Sequence, residues 1–134
     1  MARIKLPAEL RRVRDACQFV VQALNDEGMG DDFCYCYELS VDEICTNIVE
    51  HGYKHTYGAI ELVLERLSDR FQLSIIDDAP PFNPLEHEPS TDPVGDVDDL
   101  PAGGWGIVFT RKKMDNVFYH YAQGRNHLVL EKFI

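Results

Sequence analysis

The stretch DEICTNIVEHGY, Asp42 to Tyr53, decides how this chain is read. At about 100° per residue, Val41, Ile44, Cys45, Ile48 and Val49 fall on one continuous arc, the pattern of a helix that buries one side. Glu43, Asn47 and His51 are four apart and stack along one line at the edge of that arc, with Glu50 beside them. A carboxylate, an amide and an imidazole therefore share one rim. On its own such a rim reads first as a solvated stripe, since short patterns of this kind recur by chance, so its meaning depends on the rest of the chain.

Upstream, Leu10, Val13, Cys17, Val20, Val21 and Leu24 recur at helical spacing after a short alternating start, which predicts a helix from near Glu9 to the polar run 25–32. The second helix runs from about Phe33 to His51 and is expected to stop at Gly52, since glycine can take the left-handed conformation of a helix end. Downstream, residues 59–67 and 70–77 alternate in polarity around Ser68-Asp69 and read as adjacent antiparallel strands. From 78 to 102, Pro80, Pro81, Pro84, Pro89 and Pro93, with Gly95 and scattered acids, exclude regular structure. A loop of about 25 residues inside a compact domain is a functional lid or a disordered segment. GGWGIVFTRKKMD then reads as a glycine-opened helix, and residues 116–121 and 127–133 as strands around a turn at 123–126. This order predicts an α/β two-layer sandwich: a mainly antiparallel sheet covered on one face by three helices, as one domain over 1–134.

Composition narrows the function. The chain has 134 residues, 45% hydrophobic and 27% charged, the balance of a globular protein large enough to bury a core. A net charge of −10 argues against a general role on nucleic acid, which needs a basic surface. Apolar runs such as 19–23 are far shorter than a membrane span, and MARIKLPAEL lacks the apolar core of a signal peptide, so no membrane role and a cytoplasmic location are expected. The four cysteines, Cys17, Cys34, Cys36 and Cys45, form no C-x-x-C and read as free thiols. His51 and His55 beside Glu50 have the wrong spacing for a zinc helix. The run Arg111, Lys112, Lys113 reads as a solvated last helical turn that complements the helix dipole.

Each end of the long loop carries chemistry. Asp77 closes an apolar strand, where a carboxylate needs a partner. Gly103, Gly104 and Gly106, around Trp105, open a helix whose first N–H groups lack internal partners and attract an anion, while bare glycines let a phosphate approach.

Three pieces now stand in order: E-x-x-x-N-x-x-x-H on a helix, D-x-(small)-x-x-F after a strand, and G-G-x-G opening a helix beyond a lid-length gap. In these pieces the chain resembles the GHKL, or Bergerat-fold, ATP-binding domains, and within them the bacterial anti-sigma-factor serine-protein kinases of the RsbW type. The resemblance spans nearly the whole chain, including the closing GRNHLVLEK. It implies a Bergerat fold, ATP and Mg²⁺ as ligands, and transfer of the γ-phosphate to a serine or threonine of a STAS-domain anti-anti-sigma protein. A sigma factor as a second partner and a homodimer are implied as well.

By the same resemblance, Glu43 matches the general base and Asn47 the Mg²⁺ ligand. His51 matches a support for the phosphates or lid, and Asp77 the acceptor for the adenine amino group. Phe82 packs near the nucleotide, Gly103, Gly104 and Gly106 shape the phosphate entrance with Trp105 at the variable position, and about 83–102 forms the ATP lid. Ala79 stands where the family pattern has the glycine of D-x-G, and His127 or Val129 where relatives use a threonine. Glu50 adds a second acid to the rim. The competing reading is a non-catalytic module that holds nucleotide only to shape a partner-binding surface.

Overall fold

Residues 1–86 and 105–134 are described in the computed structural model, positions 105–108 as backbone only. Strand β1 (Ala2–Pro7) leads into α1 (Leu10–Asp26) and α2 (Asp31–Asn47), followed by β2 (Ala59–Arg66) and β3 (Arg70–Asp77). A short 3₁₀ turn, Pro84–Glu86, stands at the start of the predicted lid of about 83–102, in a stretch whose prolines predict no regular structure; residues 87–102 of that lid, with Gly103 and Gly104, lie outside the described residues. Helix α3 (Trp105–Lys113), β4 (Asn116–Ala122) and β5 (Arg125–Phe133) complete the chain. The strands form one sheet in the order β1-β2-β3-β5-β4. Every pairing in it is antiparallel.

Alternation along the strands sets the two faces. Phe71, Leu73 and Ile75 of β3 are buried, as are Ile60, Leu62 and Leu64 of β2 and Leu128 and Leu130 of β5. They form one core with Val13, Val20 and Leu24 of α1 and Tyr37, Val41 and Ile44 of α2. Each fully buried side chain of this size stabilises the fold by roughly 1.5–3 kcal/mol relative to exposure, so the helix layer is held mainly by this seam. The Tyr37 hydroxyl, inside the core, donates to the Phe71 carbonyl at 2.9 Å, so its polar atom is not stranded there.

The end of α2 differs from the sequence expectation. Ile48–Gly52 is a π turn, with the Tyr53 N–H donating five residues back to the Ile48 carbonyl at 2.8 Å. The left-handed residues are Lys54 (φ 54°) and His55 (φ 61°), not Gly52. The His55 N–H reaches back to the Val49 carbonyl at 2.9 Å, the long closing bond of a helix terminator, which satisfies a carbonyl the helix leaves unpaired. Gly58 is where glycine is required: a Cβ there would stand 2.2 Å from the Tyr53 ring.

The predicted turn at 123–126 is shorter in the structure. Gln123 (φ 56°) and Gly124 (φ 72°) make the reversal, and β5 already begins at Arg125. A two-residue loop with both residues at positive φ matches the twist of the flanking strands, which draws Arg125 and Asn126 into the ladder.

Candidate functional site

The inward row of β3 runs Phe71, Leu73, Ile75 and then Asp77, so strand parity turns the Asp77 carboxylate toward the helices at the end of the sheet. Asp77 is 4% exposed. Its Oδ1 accepts from the Ala79 N–H at 2.9 Å and from Asn126 Nδ2 at 2.8 Å. Oδ2 has no protein donor among the described residues. Burial pushes this carboxyl above its ordinary value, while the Asn126 and Ala79 bonds pull against the shift.

Asn126 is the residue missed from sequence, since it was assigned to the turn. It lies directly across the ladder from Asp77. Counting back by twos from the inward-facing Leu130 and Leu128 reaches Asn126, and that parity is the signal that could have found it. Its amide also donates to the Ala79 and Pro80 carbonyls at 3.0 and 3.2 Å. Its oxygen accepts from the Phe82 N–H at 3.0 Å and the Tyr119 hydroxyl at 2.5 Å. His127 and Val129, by contrast, alternate onto the opposite, half-buried face.

Tyr53 joins the end of the π turn to this loop. Its hydroxyl donates to the Ala59 carbonyl at 2.7 Å and accepts from the Asp78 N–H at 2.8 Å. Alongside, the His51 and Phe82 rings lie 6.3 Å apart, and His51 Nε2 stands 4.0 Å from Glu50. The helix rim and the loop after β3 are thus one locality, containing His51, Ala79 and Phe82.

At the last residue of α2, immediately before the π turn, Asn47 is 1% exposed, deeper than a rim position. Neither its Nδ2 nor Glu43 Oε1, both buried, makes a well-formed hydrogen bond among the described residues, although the two side chains are close enough for the Asn47 amide to favour the charged Glu43. Burial, then the neighbouring Asp42, raises the Glu43 carboxyl above its ordinary value; the nearby Asn47 amide and, more weakly, His51 oppose this, and Glu50 adds to it. Unsatisfied buried polar atoms are rare in folded proteins, and two of them one helical turn apart leave hydrogen-bonding capacity that a ligand can take up. An amide oxygen with a neighbouring carboxylate is a hard donor set that fits Mg²⁺.

Helix α3 carries Trp105 and Gly106 in its first turn and Arg111, Lys112 and Lys113 in its last. Thr110 Oγ1 donates to Ser40 Oγ at 3.1 Å, and Ser40 in turn donates to the Cys36 carbonyl at 2.7 Å, binding α3 to α2 in the interior. Arg111 Nη2 donates to the Leu85 carbonyl at 2.9 Å, so α3 also holds the 3₁₀ turn.

A separate open groove of about 510 Å³ between α1 and α2, lined in part by Val13, Cys17, Glu38, Asp42 and Thr46, contains none of the predicted site residues. Burial, followed by Asp42 and Glu38, pushes the Cys17 thiol up to about 12, which removes it as a nucleophile. Among the described residues no cluster of three or more His, Cys, Asp or Glu could hold a metal, and no helix is long and apolar enough to cross a membrane.

Comparison with known proteins agrees with the fold. The model of the histidine kinase-like ATPase domain matches residues 6–132. Serine-protein kinase RsbW of Bacillus mycoides (strain KBAB4) is 26% identical over 134 residues, covering 98% of this chain and 83% of that protein. Serine-protein kinase RsbW of Bacillus cereus (strain AH187) is 25% identical over the same share of each chain. With the family matched from Leu6 in β1 to Lys132 in β5, the chain belongs to the histidine kinase-like ATPase domain family.

Proposed function

We propose that this protein is an ATP-dependent protein serine/threonine kinase of the anti-sigma type, acting on a STAS-domain partner and regulating transcription by partner switching. The observation that carries the reading is the pair of buried atoms, Glu43 Oε1 and Asn47 Nδ2, one turn apart on α2 and without a well-formed hydrogen bond among the described residues. A module that used nucleotide only to shape a surface would have no need of a desolvated carboxylate, whereas phosphoryl transfer to a hydroxyl needs a base placed beside the phosphates.

Asp77 offers Oδ2 to the 6-amino group of adenine, and Phe82 packs near the base. Asn47 would hold Mg²⁺ through its amide oxygen, with His51 supporting the phosphates. Mg²⁺, when bound there, would supply neutralisation of the phosphate charge. Glu43 accepts the proton of the incoming serine or threonine hydroxyl as its oxygen bonds to the γ-phosphorus and the bond to the β,γ-bridging oxygen breaks, leaving ADP. Its raised pKa brings the carboxylate nearer to neutrality and makes it a better proton acceptor than an exposed glutamate. Gly103, Gly104, Trp105 and Gly106 are assigned to the phosphate entrance from the sequence resemblance alone. The site of action is the cytoplasm, where ATP and a sigma factor are both available, with a homodimer as the working assembly.

Calorimetric titration with ATP, with and without Mg²⁺, tests the ligands. Mass spectrometry of a purified STAS-domain protein after incubation with the chain and Mg·ATP tests the transfer. Phosphate on a serine or threonine of the partner, absent with Glu43→Gln, is the expected result. Nucleotide binding without transfer would return the chain to the role of a partner-binding module.

A further inference from the structure

We propose that Asn126 is the positioning residue for base recognition, holding the Asp77 carboxylate so that Oδ2 alone faces the base while fixing the backbone that leaves β3. This rests on the reading of Asp77 given above and adds to it a residue of another strand.

A primary amide has two N–H donors and an oxygen with two lone pairs. In Asn126 every one is engaged, at 3% exposure. Its nitrogen faces three acceptors: Asp77 Oδ1 at 2.8 Å, the Ala79 carbonyl at 3.0 Å and the Pro80 carbonyl at 3.2 Å. Its oxygen faces two donors, the Phe82 N–H at 3.0 Å and the Tyr119 hydroxyl at 2.5 Å. The partners leave no choice of orientation, because a flipped amide would set its oxygen against a carboxylate and two carbonyls. The Tyr119 hydroxyl, on β4, locks the amide from the far side.

Both donors to Asp77 converge on the same oxygen, Oδ1. The carboxylate is thereby pinned in one rotamer, and its remaining lone pairs are all on Oδ2. An exocyclic amino group is the ligand chemistry that a pinned acceptor-only oxygen selects. Without Asn126, Asp77 keeps only the Ala79 N–H, can rotate about Cβ–Cγ, and loses its fixed direction. A hydroxyl in place of the amide could donate to Oδ1 but could not bridge Ala79, Pro80 and Phe82 as well.

The test compares dissociation constants for ATP and for purine riboside triphosphate, which differs only in lacking the 6-amino group, in Mg²⁺ with the whole chain. Wild type is expected to prefer ATP by about tenfold or more, since a polar group built to pair with a ligand rejects the analogue that leaves it unpaired. Asn126→Ala is expected to narrow that preference to about twofold, almost entirely through weaker ATP binding, with Tyr119→Phe between the two. Equal weakening of both ligands by Asn126→Ala would make Asn126 a scaffold residue only and overturn the inference. If Asn126→Ala does not fold, Tyr119→Phe decides, and an unchanged ratio in it overturns the inference. A wild type without preference would instead overturn the assignment of Asp77 itself.

Discussion

The Cβ of Ala79 stands 3.5 Å from the point where a Cβ on Gly52 would be. The methyl group that separates this chain from the D-x-G pattern is therefore packed against the end of the π turn, in space that Gly52 leaves open. Ala79 is 2% exposed, so its methyl is part of the core rather than an intrusion into the cleft. Ala79→Gly is expected to leave ATP affinity within about twofold and to lower stability by roughly 1 kcal/mol, through lost burial and a freer unfolded chain. Titration calorimetry and urea unfolding read the two separately; a large gain in ATP affinity would place the methyl in the nucleotide's way.

Asp77→Asn keeps the shape of the side chain but replaces an oxygen acceptor with an amide. Loss of a charge-assisted hydrogen bond predicts ATP binding weaker by about 10–100-fold. Calorimetric titration in Mg²⁺ checks it, and undiminished affinity would remove Asp77 from the adenine site.

Glu43→Gln separates chemistry from stability. Transfer to the partner is expected to fall by at least about 100-fold with ATP still bound. The native pKa of Glu43 lies above its unfolded value, so its contribution to stability is present at low pH and lost as pH rises through the native pKa. At neutral pH the glutamine variant is therefore expected to melt roughly 2–6 °C higher than wild type, and the gap should shrink toward pH 4. Equal melting temperatures at both pH values would contradict the desolvated carboxylate.

His120 and His127 stack across β4 and β5 with ring centroids 4.6 Å apart. Burial, then His120, then Arg125 hold the His127 imidazole below its ordinary value. A depressed native pKa gives stability that is present above about pH 6.5 and lost as pH falls through the native value. His127→Gln is expected to flatten the decline of stability between pH 6.5 and 5 in urea titrations, and a slope identical to wild type would count against the stacked pair as its source.

Most of the architecture could be read from periodicity, because strands 59–66 and 70–77 alternate cleanly and α1 has a continuous apolar stripe. Glu43, Asn47 and His51 were placed on one helix by spacing, but spacing could not show that Asn47 would be buried or that the helix would widen after it. The π turn ends at Tyr53, whose hydroxyl bonds Ala59 six residues on and Asp78 in the loop beyond β3, and the latter partner cannot be read from helix spacing. Asn126 was hidden for a related reason: Gln-Gly-Arg-Asn is turn-like in composition, and only the positive φ of Gln123 and Gly124 confines the reversal to two residues. The phosphate entrance at Gly103 and Gly104 rests on the sequence alone.

The wide turn at Ile48–Gly52 also gives the chain an unusual sensitivity to length. Removing one residue there would let the helix continue with regular α bonds, a locally favourable change. It would also rotate everything beyond by about 100° and shorten the reach to β2. Tyr53 would lose both the Ala59 carbonyl and the Asp78 N–H, and its ring would no longer fill the space beside Gly58. A single-residue deletion that improves the helix as a helix would thus detach it from the sheet, so this segment should accept substitutions far more readily than deletions.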